Sequence, residues 1–264
     1  MQFDFGQNWL DFARAALTPE RAAHAESEFA ALLDGVPLVN ARFVDIGFGQ
    51  GLSLLLAAGS GARAVGCDIN SKCREALETS AAFFPNVQLA AIPLVVGSIL
   101  DDAVVAALRA AAPGGEGAYD VAHSWGCLHH TGDMRTAIRN TASLVRPGGH
   151  LVLAIYNRHW SSPAWNAIKW LYCKSPRWLQ RVLVVAFVPV IWLAKLAVTG
   201  RDPARQQRGM DFYYDMIDWV GGYPYEYASV DELRALVEPL GFECLRWRAA
   251  EVPTGCNEFV FRRL

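Results

Sequence analysis

Short apolar runs alternate with helical patterns between Arg42 and Tyr156. Five runs are predicted as strands: RFVDI, RAVGCDI, IPLVVGSI, YDVAHSW and a run that turns sharply at Pro147-Gly148-Gly149 and continues as HLVLAIYN. The stretches that follow the first four, LSLLLAAG, SKCREALETSAAFF, DDAVVAALRAAA and MRTAIRNTASLV, read as helices. This alternation predicts a parallel sheet with helices on both faces.

The pattern resumes near the end of the chain. SVDELRALVEPL is predicted as a helix, with Ser229 as its N-cap and Glu232 three residues later, the spacing of a capping box. GFECLRWR and NEFVFRR follow as two closing strands, which gives seven strands in all. Residues 1 to about 35 are predicted to be helical and to precede the sheet.

Residues 156–228 do not follow the alternation. They contain six of the nine tryptophans and seven of the eight tyrosines. The segment is inserted after the fifth strand, on the carboxyl side of the sheet, where open α/β sheets bind ligands. We therefore predict an N-terminal helical cap (1–35), a cofactor-binding core (36–155), a lid or acceptor-binding insertion (156–228) and a closing helix and strands (229–264).

Composition narrows the class of protein. The chain has 264 residues, of which 53% are hydrophobic and 19% charged, enough apolar residues for a large core. A net charge of −2 argues against a nucleic-acid binder. The six cysteines form no CxxC pair, and the histidines and carboxylates lack the spacing of metal ligands. The N-terminal stretch lacks the pattern of a signal peptide, so we expect a cytoplasmic protein.

The stretch FVDIGFGQG contains glycines at alternate positions: Gly47, Gly49 and Gly51. The dinucleotide fingerprint needs G-x-G-x-x-G, and the spacing here differs from it by one residue. Asp45, at the end of the strand, would repel a pyrophosphate and attract a cationic ligand. S-adenosylmethionine carries an ammonium and a sulfonium and no phosphate, so the turn predicts that cofactor rather than a nicotinamide dinucleotide.

Later strand ends supply further candidates. Asp68 ends the second strand, 17 positions after Gly51, where an acid can accept hydrogen bonds from ribose hydroxyls. Its alternative role is to cap the helix that begins near Ser71. Ser98 and Ile99 follow the third strand, where we expect the adenine ring to lie.

The motifs VDIGFGQG, VVGSI, YDVAHSWGCLHHTGD and LVRPGGHLVLAIYN, with Asp68, resemble those of class I S-adenosylmethionine-dependent methyltransferases. The resemblance covers about residues 42–156 and, more weakly, the last 36. CLHHTGDM followed by RPGG is similar to the ubiquinone-biosynthesis and related small-molecule methyltransferases. The resemblance implies a Rossmann-like sheet of seven strands whose last strand is antiparallel. Two departures are Ser98, where many members have Asp, and Phe48, where a small residue is usual.

The resemblance also implies an N-terminal helix that closes over the cofactor, which adds two residues to the site. The predicted cofactor-binding residues are Gln7, Trp9, Asp45, Gly47, Gly49, Gln50, Gly51, Asp68, Ile69, Ser98, Ile99, Ser124 and Trp125. His123 lies within the fourth strand and is expected to be satisfied in the core.

The candidate catalytic residues are His129 and His130, on the loop after the fourth strand, and Tyr156, at the end of the fifth. An imidazole suits a general base for a hydroxyl acceptor, whereas a carboxylate acceptor is already ionised and needs none. The alternative is that the histidine pair is a structural part of the loop. We predict O-methylation of a hydroxyl or carboxylate on a small molecule or peptide. The rival interpretations are a non-catalytic partner subunit that binds the cofactor and a nicotinamide oxidoreductase.

The insertion contains an uncharged apolar run, residues 182–194, which by itself is too short to span a bilayer. Pro189 is expected to kink any helix there. Residues 156–210 hold nine Lys and Arg and one acid, Asp202. Three interpretations remain: a lid over the acceptor, which we favour, a homodimer interface, and attachment to a membrane surface.

Overall fold

The computed structural model describes residues 3–200, 202 and 211–264. Its seven strands form one sheet in the order β3-β2-β1-β4-β5-β7-β6. The strands are β1 Arg42–Ile46, β2 Arg63–Asp68, β3 Leu94–Val96, β4 Tyr119–Trp125, β5 Val145–Tyr156, β6 Phe242–Arg248 and β7 Cys256–Arg263. Strands β1 to β5 pair in parallel, and β7 is antiparallel to both β5 and β6. The predicted mostly parallel sheet with an antiparallel last strand is confirmed.

Helices cover both faces of the sheet. They are α1 Phe5–Ala15, α2 Pro19–Leu32, α3 Leu52–Gly59, α4 Lys72–Ser80, α5 Asp102–Ala111, α6 Met134–Ser143, α7 Ser162–Lys174, α8 Arg177–Thr199, α9 Phe212–Gly221 and α10 Val230–Val237. Successive residues of β1 point to opposite faces, as a strand requires. Val44 packs in the core formed with α5, α6 and α10. Phe43 packs in the core formed with the N-terminal helices, α3 and α4.

Two strands differ from the predicted boundaries. β3 has only three residues and pairs with β2 alone, because it lies at the edge of the sheet. Pro147, Gly148 and Gly149 lie inside β5 rather than before it, and the register between β4 and β5 shifts between Tyr119 and Val121. The glycines therefore form an irregularity that the strand accommodates, as bulges do.

The insertion and the N-terminal helices join above the sheet. α7, α8 and α9 share a small apolar core, which includes Tyr172 and Met216. The Asn8 amide of α1 donates to the Asp218 carboxylate of α9 at 2.7 Å and to the Tyr214 carbonyl at 3.1 Å. We call this joined unit, α1 and α9, the roof. The described residues exclude three of the basic residues counted in the insertion: Arg201, Arg205 and Arg208.

Helix α8 is longer than the apolar run at its centre. It extends over 23 residues, because Arg177–Arg181 and Lys195–Thr199 continue the helical turn on either side. By length and composition the whole helix could cross a membrane, whereas the apolar run 182–194 alone is shorter than a membrane span. Pro189 lies inside the helix and does not end it.

The predicted N-terminus of α10 is a complete capping box. Ser229 Oγ accepts from the Glu232 N–H at 3.2 Å, and Glu232 Oε2 accepts from the Ser229 N–H at 2.8 Å. Ser229→Ala should therefore lower the free energy of unfolding by about 1 kcal/mol in urea denaturation. Ser71→Ala is the matched control, because Ser71 is the N-cap of α4 but makes no side-chain cap bond. Equal losses in the two variants would contradict the assignment.

Candidate functional site

The glycine turn after β1 has left-handed backbone at all three glycines, with φ of 75° at Gly47, 54° at Gly49 and 82° at Gly51. A Cβ on Gly47 would lie 2.1 Å from the Cys127 sulfur, and one on Gly51 would lie 2.2 Å from Leu77 Cδ1. Both the conformation and the space therefore demand glycine. The turn delivers the chain from β1 to the start of α3, whose N–H groups face the carboxyl end of the sheet.

Asp68 supports this turn from the next strand. Its Oδ2 accepts from the Gly49 N–H at 3.0 Å, and its Oδ1 accepts from the Asn70 N–H at 2.9 Å. Ser71, not Asp68, holds the N-cap position of α4. Burial raises the pKa of the Asp68 carboxyl. The Cys73 thiol donates a third hydrogen bond to this carboxylate, and the lone pair that remains can accept a hydrogen bond from a ligand hydroxyl.

A cavity of about 1030 Å³ runs along the carboxyl ends of the strands, from the glycine turn to the insertion. Most of the predicted site residues line it: Trp9, Asp45, Gly47, Gly49, Gln50, Asp68, Ile69, Ser98, Ile99, Trp125, His130 and Tyr156. The Trp9 indole lies against Gly49, since a Cβ added there would be 3.1 Å from its nitrogen. The structure thus brings the N-terminal helix, the ends of the five parallel strands and the loop after β4 to one cavity.

Four predicted residues are not among those that line the cavity. The Gln7 amide donates to Asp11 on the surface of α1. Ser124 Oγ is buried and donates to the Ile46 carbonyl at 2.8 Å, which joins β4 to β1. Gly51 is the N-cap residue of α3. His129 is fully buried with its ring centroid 4.0 Å from that of Tyr156, which it therefore supports from behind.

Two buried polar features at the cofactor end fit a ligand with a positively charged group. Gln50 is 8% exposed, and its Oε1 has no hydrogen-bond partner among the described residues. An unsatisfied buried carbonyl is costly, and an ammonium group on a ligand would satisfy it. Asp45 Oδ1 lies 2.7 Å from His123 Nδ1, and both residues are buried and line the cavity. His123 is therefore paired through Nδ1, but its buried Nε2 has no hydrogen-bond partner among the described residues, and the side chain borders the site rather than lying satisfied in the core.

His130 lies where the cavity passes under the insertion. Its Nδ1 donates to the Pro224 carbonyl at 2.6 Å, so Nδ1 carries the proton of the neutral ring and Nε2 is a hydrogen-bond acceptor. Burial, and next the charge of Lys169, lower the pKa of His130 to about 3. Burial also raises the pKa of the Tyr156 phenol well above its usual value.

Several residues of the insertion that the sequence did not single out complete this end of the cavity. Asp218 and Trp219 of α9 and Trp165 of α7 line it. Burial raises the pKa of Asp218 well above its usual range, and the nearby Asp215 adds to the effect. The orientation of α9 shows which side chains of DFYYDMIDW face inward.

Lys169 lies fully buried beside this end of the cavity. Its ammonium is 4.5 Å from the Trp219 ring centroid and 4.8 Å from that of Tyr225, and it donates to the Trp219 carbonyl. Burial lowers the pKa of Lys169 to about 7. The surroundings of the cavity at this end therefore disfavour charge of either sign.

Comparison with known proteins gives a consistent result. A family model described as a methyltransferase domain matches residues 16–246. Two ubiquinone biosynthesis O-methyltransferases are similar in sequence. The one from Ralstonia nicotianae is 30% identical over 123 residues, 47% of this chain and 46% of the relative. The one from Pectobacterium atrosepticum is 27% identical over 128 residues, 48% of this chain and 47% of the relative. The chain spans about half the length of the curated relatives it matches.

Solved structures share the fold. An O-methyltransferase family protein from Burkholderia thailandensis has a TM-score of 0.55 at 17% identity, covering 92% of this chain and 57% of that one. Magnesium protoporphyrin IX methyltransferase from Synechocystis PCC 6803, with bound S-adenosylhomocysteine (SAH), has a TM-score of 0.54 at 15% identity, covering 92% and 83%.

Asp68→Ala should weaken SAH binding by roughly tenfold or more, since a hydrogen bond to a charged group is worth about 1.5–3 kcal/mol. Isothermal titration calorimetry measures this. Asp101→Ala is the control, because Asp101 also ends a strand-to-helix connection but makes no side-chain cap bond and lies outside the cavity. An unchanged Kd in a folded Asp68→Ala protein would refute the role assigned to this carboxylate.

Proposed function

The chain belongs to the methyltransferase-domain family and is an S-adenosylmethionine-dependent methyltransferase, and we propose that it methylates the oxygen of a neutral hydroxyl group on an apolar small molecule. The family match removes the nicotinamide oxidoreductase as an alternative, in agreement with the glycine spacing. A non-catalytic partner subunit of the same fold would bind the cofactor without transferring its methyl group, so the acceptor assay below distinguishes it from an enzyme. The nature of the acceptor is the part of the proposal that rests on the cavity itself.

The observation that carries the proposal is the shared direction of the pKa shifts at the insertion end of the cavity. Burial lowers the pKa of His130 and raises the pKa of Asp218 and Tyr156, so each group is driven toward its neutral form. The same desolvation would penalise an anionic carboxylate acceptor. A neutral hydroxyl avoids this cost, and the names of the ubiquinone-biosynthesis relatives are consistent with oxygen as the methylated atom.

The aromatic wall favours an apolar or aromatic body on the acceptor. The ring centroids of Trp165 and Trp219 are 5.3 Å apart, and those of Tyr156 and Trp219 are 5.5 Å apart. Such rings supply a large contact area in a fixed arrangement. A flat, apolar acceptor would bury most of its surface against them.

The proposed chemistry needs one proton acceptor from the protein. S-adenosylmethionine supplies a methyl group bonded to a sulfonium, which an acceptor oxygen can attack directly. His130, with its proton held on Nδ1 by the Pro224 carbonyl, accepts a hydrogen bond from the hydroxyl at Nε2. Because its pKa is lowered to about 3, it takes the proton only as the C–O bond forms and the S–C bond breaks, when the hydroxyl becomes strongly acidic. The roof over the cavity limits the access of water, so orientation and desolvation provide most of the remaining acceleration.

A matched set of acceptors tests the proposal. A 4-alkylphenol, the corresponding 4-alkylbenzoate and the corresponding 4-alkylaniline share one body and differ in the attacking group. We expect SAH release and a gain of about 14 mass units with the phenol, and kcat/KM at least about tenfold lower for the benzoate because of its desolvation cost. A preference for the benzoate would overturn the neutral-hydroxyl assignment.

His130→Ala should lower kcat on the phenol about 10²-fold while the Kd for SAH stays near normal. His24→Ala, an exposed histidine of α2 outside the cavity, is the control. The loss of kcat should be smaller on a phenol whose electron-withdrawing substituents lower its pKa below the assay pH, since that acceptor is already ionised and needs no base. A deficit of equal size on both phenols would show that His130 acts only through structure.

A further inference from the structure

Helix α8 presents an exposed stripe that is entirely apolar. From residue 182 to 198 the exposed positions recur in pairs every four residues, so they share one face of the helix. They are Val182, Val185, Ala186, Pro189, Val190, Leu193, Ala194, Ala197 and Val198, and we call them the α8 stripe. At a rise of 1.5 Å per residue the stripe is about 25 Å long. Val185 is 72% exposed and Leu193 59%, values unusual for residues of this size in a folded protein.

The exposed residues next to the stripe have the composition of a lipid interface. Trp178, 66% exposed, begins the exposed face of α8, and Trp170, 46% exposed, lies one turn before the end of α7. Lys174, Arg177 and Arg181 are exposed between and beside them. Tryptophan rings prefer the headgroup region, and Lys and Arg keep their charged ends in water beside apolar stems.

The positive charge of residues 158–200 favours an anionic partner for this surface. Residues 158–200 contain six Lys and Arg and no Asp or Glu, although the chain as a whole has a net charge of −2. A second copy placed on this face would bring no acidic partner from this segment for Lys174, Arg177 and Arg181. Anionic lipid headgroups would neutralise them.

The opposite face of α8 is anchored in the protein. Val184 and Ile191 are buried in the apolar core shared with Met216 and Val220, and Lys195 forms an ion pair with Asp215 at 2.8 Å. A helix held in this way cannot leave the protein to span a bilayer without losing these contacts. It can lie in the membrane interface with the α8 stripe directed toward the acyl chains.

We propose that the α8 stripe docks on an anionic membrane surface, with Trp170, Trp178 and the basic residues at the headgroups. The apolar face enters the acyl boundary, and the sheet stays on the aqueous side. Ala194 and Val198 of the stripe also line the cavity, so its C-terminal end borders the site. The inference does not depend on which acceptor the enzyme methylates, because it uses the exposed residues of α7 and α8.

Flotation with vesicles tests the docking. The purified full chain is mixed with vesicles of phosphatidylcholine alone, or of phosphatidylcholine with about one third phosphatidylglycerol, and centrifuged in a density gradient. We expect the chain to float with the anionic vesicles and much less with the neutral ones. Val185→Glu with Val190→Glu should reduce flotation by about tenfold or more, since both side chains lie on the stripe. Val39→Glu is the matched control, because Val39 is 75% exposed and lies far from α8 along the chain.

Further measurements separate the docking from its rivals. Calorimetric binding of SAH shows that each variant is folded. Arg177→Glu with Arg181→Glu should remove the preference for anionic vesicles and keep the residual apolar binding.

Absence of flotation, or flotation that the Val185 and Val190 changes leave intact, would overturn the proposal. A dimer in light scattering that those changes convert to a monomer, without vesicle binding, would show a homodimer interface instead. Resistance of the bound chain to alkaline carbonate would show a spanning helix and would also overturn surface docking.

Discussion

The contact between the Asp68 carboxylate and the Gly49 N–H is the interaction on which the cofactor end of the cavity depends. It joins the end of β2 to the turn after β1 and holds that turn in a left-handed conformation that only glycine adopts without strain. Cys127 and Leu77 fill the space beside the glycines, so the turn is fixed from three directions. The backbone that faces the cofactor is therefore preorganised, and little ordering is left to be done when the ligand binds.

The other end of the cavity is governed by desolvation rather than by geometry alone. Lys169 is buried against aromatic rings, and its charge reinforces the effect of burial on His130. Burial thus favours the neutral form of the basic Lys169 and of the acidic Asp218 alike. One cavity thus combines an end with two carboxylates, Asp45 and Asp68, with an end at which burial favours neutral groups.

The sequence could predict the sheet because each strand and helix carries its own period and its own turn signals. The alternation of strand and helix patterns, the capping box at Ser229 and the glycine turn each depend on residues that are close in sequence. Such local patterns can be read before the fold is known. Features that depend on distant partners could not be predicted. Ser124 donates to the Ile46 carbonyl because β4 lies beside β1. Gln7 instead donates to Asp11, one turn further along α1, and does not reach the cavity. The bounds of α8 could not be predicted, because charged residues at both ends of an apolar run do not show where the helix ends.

The same distinction explains the candidate site. Motif residues of the core could be placed at or just after strand ends, and eleven of them line the cavity together with Trp9 of the N-terminal helix. Asp218, Trp219 and Trp165 could not be assigned, because the insertion has no alternating pattern that fixes which face of each helix points inward. The aromatic density of the insertion suggested an acceptor region but did not show which side chains line the cavity.

The link between Asn8 and Asp218 has a consequence for how the protein is made. The two residues are 210 positions apart, and such distant pairing is slow to form because a long loop must close. Because a ribosome synthesises the chain from its N-terminal side, the glycine turn and Asp68 emerge before α9, which completes the roof. The cofactor surface is thus exposed on the growing chain until α9 has emerged. Ligand that binds there before release would act as a folding aid, since it stabilises the ordered core while the roof is still missing.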